Sequence, residues 1–126
     1  GLDLSGSFFD WKKEESFKGI LRKHKTLFDF VDKRGEAKNL PVLEFTIKKD
    51  GKTQNILVAN TLLVGNIEDA AKEIHEANFL EFPDKPTSFL VNYYVSGIPF
   101  IITKTGESEG KNGTYYTFSI EPAILE

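Results

Sequence analysis

Residues 42–49 (VLEFTIKK) restrict what this chain can become more than any other stretch. Leu43, Phe45 and Ile47 fall on one side, and Glu44, Thr46 and Lys48 on the other, which is the two-residue period of a strand buried on one face. Asp50-Gly51 follows at once, the pair that favours a type I′ turn. Residues 53–59 are therefore expected to return as the antiparallel partner.

The flanking segments extend this pattern. Residues 16–24 alternate imperfectly and residues 26–31 more clearly, so they read as one long bent strand or two short ones, with Gly19 as the bulge that bends it. Residues 32–40 form a charged loop. Asn66-Ile67-Glu68-Asp69 offers a helix cap with carboxylates in the first turn, and Ile67, Ala70, Ala71 and Ile74 recur at helical spacing, so a helix of about three turns is expected to end near Asn78. Pro83 and Pro86 punctuate its exit. Residues 89–96 (FLVNYYVS) resume strand character, with Phe89, Val91, Tyr93 and Val95 inward and Leu90, Asn92, Tyr94 and Ser96 outward. After Gly97-Ile98-Pro99, residues 100–105 continue the strand, residues 106–113 make a long mobile tip, and residues 114–121 close the hairpin. The expected class is mainly β, an OB-fold-like five-stranded Greek-key barrel with one α-helix between strands 3 and 4. Residues 1–126 are expected to form a single domain, with residues 1–15 as an N-terminal extension.

The 126 residues suffice to bury a core without disulfides or metal. The absence of cysteine excludes thiol nucleophiles, zinc ribbons and iron–sulfur ligation, and fits a reducing cytoplasm. No apolar run approaches the roughly 20 residues of a membrane-spanning helix, so a soluble intracellular protein is expected. His24 and His75 show no metal-ligand spacing, and no P-loop or nucleophile-elbow sequence occurs, so neither enzymatic activity, a cofactor nor a metal is expected.

Binding has more support. Net charge is −3, yet positions 12–52 hold 12 basic and 7 acidic residues, net +5, while positions 53–126 hold 4 and 10, net −6. That segregation suggests one electropositive surface. Lys18 and Arg22 flank the first strand, Lys33 and Arg34 occupy the following loop, Lys48 adjoins the hairpin turn, and Lys104 and Lys111 bracket the last hairpin. Tyr94 and Tyr115 take outward positions on their strands, and Phe28 stands opposite Leu27, so rings are left over for stacking. A nucleobase on an aromatic side chain gains about 1–3 kcal/mol whatever its identity, leaving Lys and Arg to follow the phosphates. The same pattern also suits tyrosines that cap a small barrel and lysines that serve solubility.

Residues 100–106 (FIITKTG) and 110–120 (GKNGTYYTFSI) together resemble the C-terminal hairpin of bacteriophage single-stranded-DNA-binding proteins, particularly those of phages of Gram-positive hosts. Residues 56–60 (ILVAN) leading into residues 67–74 (IEDAAKEI) look like the strand and amphipathic helix of the same proteins. The resemblance covers about half of the chain. It implies an OB-fold, sequence-independent binding and protection of single-stranded DNA in phage replication or recombination, and residence in the cytoplasm of the bacterial host. It leaves oligomeric state open, a homodimer included, and calls for no membrane contact. The competing expectation is a phage protein-binding or structural module with a small β-barrel, in which Phe8, Phe9 and Trp11 anchor a partner.

Overall fold

A computed structural model describes residues 7–31, 34–78, 86–111 and 113–123. Lys33 and Pro83 lie outside the described residues. The chain runs β1 (Ser7–Phe8), β2 (Ser16–Val31), β3 (Ala37–Lys49), β4 (Lys52–Val58), α1 (Thr61–Asn78), α2 (Thr87–Tyr94), β5 (Pro99–Gly110) and β6 (Gly113–Pro122). It is mainly β.

The hairpin forms as its sequence requires. Asp50 and Gly51 take φ of 53° and 77°, and β3 pairs with β4 from Lys49↔Lys52 to Leu43↔Val58. Central to the sheet is β2, which pairs antiparallel with β3 over most of its length and with β5 over Ser16 to Ile20. The sheet order is β1-β4-β3-β2-β5-β6. Among the described residues it does not close, since β6 ends one side and β1 the other. The closed ring of strands expected from the sequence is therefore absent as a hydrogen-bonded feature.

Three local expectations are corrected. Gly19 pairs in register with both Ile47 and Phe100, so it is not a bulge. The irregularities lie between Leu21 and Lys23, where Arg22 is the extra residue, and between Leu27 and Phe30. Gly19 is needed for close approach instead: a Cβ there would stand 2.9 Å from Ile47 Cγ2 and 3.2 Å from the Thr46 carbonyl oxygen. The tip expected over residues 106–113 is mostly paired strand, with Gly106↔Thr117 through Gly110↔Gly113 in register.

The third correction is that residues 89–96 are not a strand. Thr87 to Tyr94 form α2, opened by Pro86 and followed by Gly97 at φ 83°. Leu90, Val91 and Val95 are buried there, a grouping that fits one helical face and breaks strand alternation. The aromatic and β-branched composition suggested a strand, and packing against α1 and β2 overrides it. Asn92 ties the helix to β2, accepting from the His24 N–H at 2.7 Å and donating to its carbonyl at 3.3 Å. Two helices therefore lie between β4 and β5, where one was expected. The first also starts earlier, at Thr61, because Asn60 Oδ1 accepts the Leu63 N–H at 3.1 Å and caps it.

The core joins Leu21, Leu43, Phe45, Ile56 and Val58 of the sheet to Leu63, Val64, Ile67 and Ala71 of α1 and to Leu90 and Val91 of α2. The N-terminal segment belongs to it. Ser7 and Phe8 pair in parallel with Ile56 and Leu57, and Trp11, only 8% exposed, meets the rings of Phe9, Phe17 and Phe118 edge-on or tilted at 4.4–5.8 Å. Residues 7–11 thus take part in the packing.

Candidate nucleic-acid interface

Alternation along β2 sends Phe17 and Leu21 into the core and leaves Lys18 and Arg22 exposed on the opposite face. The register Ile20↔Thr46 and Lys48↔Thr53 carries that face across β3 to β4, and Ile20↔Pro99 carries it to β5. The result is a groove of about 330 Å³ lined by Lys18, Gly19, Ile20, Arg22, Thr46, Ile47, Lys48, Thr53 and Pro99. Its floor is apolar at Ile20 and Pro99, and three cations stand around it.

Arg22 owes its position to the bulge. Its Nε donates to Thr46 Oγ1 at 2.9 Å, and the Thr46 hydroxyl donates to Asn55 Oδ1 at 2.7 Å. This relay fixes the guanidinium plane over three strands. Such a fork suits a phosphate or the edge of a planar base. Thr46 was legible as an outward residue of β3, and the hairpin register puts Asn55 beside it; Ile20 and Pro99 required the β2–β5 pairing to be seen.

The other expected residues divide. Phe28 is 69% exposed, extruded at the second irregularity of β2, where Asp29 takes φ 54°. It lies on the β2–β3 hairpin with Arg34 and Lys38, both exposed, at the end remote from the Lys48 turn. Lys111 is exposed at the β5–β6 turn. Tyr115 is 44% exposed but stands beside Asn60, Thr61 and Leu62 at the start of α1, away from the groove, and its ring covers Gly110. Lys104 does not face outward: its Nζ donates to the Trp11 carbonyl at 2.7 Å and lies 4.8 Å from the centre of the Tyr116 ring.

The chain matches no protein-family model, no curated protein and no solved structure.

Tyr94 is no outward strand residue. It sits at the end of α2, half-buried, with its hydroxyl 3.1 Å from His75 Nδ1 of α1. Burial and the neighbouring Tyr93 phenol hold that hydroxyl above the ordinary tyrosine value of 10.0. The exposed rings of α2 are instead Phe89 and Tyr93, stacked at 5.7 Å and 12°, with Tyr93 65% exposed. Sequence alternation had turned both inward; helical spacing, i and i+4, was the signal that pairs them. The N-terminal aromatics expected to anchor a partner are mostly committed, since Phe9 and Trp11 pack in the core and Phe8 meets Phe30 edge-on at 6.1 Å. Among the described residues no three His, Asp or Glu side chains gather as a metal-binding set, and no helix is long and apolar enough to cross a membrane.

Proposed function

We propose that this chain binds single-stranded DNA without regard to sequence and protects it during phage replication or recombination in the cytoplasm of a bacterial host. The observation that carries the reading is the groove on the outer face of β2, β3 and β4, with Lys18, Arg22 and Lys48 standing around Ile20 and Pro99. Cations around such a groove suit a phosphate backbone, and its apolar floor suits a sugar or base face. Phe28, extruded toward the far end of the β2–β3 hairpin, offers a further exposed ring for stacking.

The architecture supports the same reading. Leaving aside the two-residue β1, the strands follow the order of an OB-fold, whose first strand pairs with both the second and the fourth, whose helical insertion follows the third, and whose ligands lie across the second and third strands. Among the described residues no barrel-closing pair is present, and two helices stand in place of one. The acidic second half of the chain does not oppose the idea, because Asp69, Glu73 and Glu76 lie on the exposed side of α1, an element that does not line the groove.

The stacked Phe89–Tyr93 pair favours a second reading, a protein-binding module that presents α2 to a partner. Titrating a labelled oligothymidine and its duplex at low and at physiological salt separates the two. Tighter binding of the single strand, weakened by salt, supports the first; no binding of either at low salt removes it.

A further inference from the structure

We propose that β6 pairs antiparallel with β6 of a second copy of the chain, joining two sheets through their open edges. The two edges of the sheet are unlike. On one, Lys52 opens β4, and β1 covers Ile56 and Leu57. On the other, β6 runs ten residues, and among the described residues its main chain bonds only to β5. Native edge strands are normally blunted by a lysine, a proline, a bulge or brevity. From Gly113 to Ile120, β6 has none of these: it is uncharged, free of proline, and the irregularity in this ladder falls on β5 at Thr105.

The direction of its main-chain groups follows from the turn. Gly110 and Gly113 flank a two-residue connection and form a hydrogen-bonded pair, so odd-numbered residues of β6 point their N–H and C=O at β5. The Ala123 N–H, bonded to the Pro99 carbonyl at 2.9 Å, continues that parity. Thr114, Tyr116, Phe118 and Ile120 therefore offer theirs to the free edge. A two-fold axis at Thr117 sets Tyr116 opposite Phe118 of the second copy and Thr114 opposite Ile120, exchanging about eight main-chain hydrogen bonds. The Tyr116 and Phe118 rings then meet as aromatic cross-strand pairs. The one charged residue of the strand, Glu121, falls opposite Gly113, so no like charges oppose one another.

The test is sedimentation equilibrium of the full chain over a concentration series. The expected mass is twice the 14.2 kDa of one chain, moving to one chain on dilution. Thr117→Lys brings two like charges together at the axis, and Thr114→Pro removes an N–H that β5 does not use. Each is expected to leave a monomer with an unchanged circular dichroism spectrum. Since the chain has no cysteine, Thr117→Cys supplies a single thiol, and at a non-hydrogen-bonded pair on the axis it is expected to oxidise to a covalent dimer, whereas Thr53→Cys in the groove is not. A wild-type monomer at every concentration overturns the proposal, as do folded edge variants that remain dimeric, or cross-linking no better at position 117 than at position 53. DNA binding does not enter these readouts, so the outcome is independent of the function proposed above.

Discussion

Replacing Lys18 and Lys48 by glutamine removes two of the three cations around the groove while sparing Arg22, whose Nε is engaged with Thr46. Each phosphate neutralised on a single strand contributes about −0.7 to the slope of log K against log salt, so three cations give a slope of about −2.1 and one gives about −0.7. Raising salt from about 50 to about 200 mM should then weaken the wild type about 18-fold and the double variant about 3-fold. Fluorescence anisotropy of a labelled oligothymidine across that range measures both slopes. Lys72→Gln, on the exposed side of α1, serves as a control and should keep the wild-type slope. A double variant with an unchanged slope would show that phosphates lie elsewhere, and the groove would lose its assignment. A wild-type slope steeper than about −4 would mean that the groove supplies only part of the contact.

Gly19→Ala brings a methyl group within 2.9 Å of Ile47 and 3.2 Å of the Thr46 carbonyl, and should cost about 1–3 kcal/mol in urea unfolding. Asn60→Ala removes the side-chain acceptor at the start of α1 and should cost about 1 kcal/mol in the same assay. Tyr94, whose folded pKa is raised, binds its proton more tightly folded than unfolded. Its contribution to stability is therefore complete below the ordinary value of 10.0 and declines as pH climbs through the folded value. Alkaline titration of tyrosinate absorbance should show one late-ionising ring in the folded protein, absent in Tyr94→Phe; coincident folded and unfolded curves would contradict this.

The parts of the fold legible in the sequence were those with local causes. The β3–β4 hairpin follows from strict alternation and Asp50-Gly51, and Lys18, Arg22 and Lys48 were identified from their place beside strands. What was not legible depended on distant partners. Residues 89–96 have strand-like composition, and only packing against α1 and β2 decides that Leu90, Val91 and Val95 are buried together. Tyr94 was consequently assigned a wrong orientation, and Phe89 and Tyr93 were overlooked as exposed rings. The helix start at Thr61 was hidden because Gly65 interrupts the apolar pattern just where a cap at Asn66 also looked plausible. Lys104 is placed by its sequence only at the edge of the last hairpin, and the arrival of Trp11 from 93 residues away gives its ammonium a carbonyl to hold.

That last contact has a practical side. The chain has one tryptophan, and its indole sits among Phe9, Phe17 and Phe118, none of which lines the groove. Its emission is accordingly a gauge of whether the amino-terminal segment is seated, and should stay constant while a ligand fills the cationic face. Optical unfolding and ligand titration can thus be followed in one cuvette, the first from the native indole and the second from a dye on the oligonucleotide.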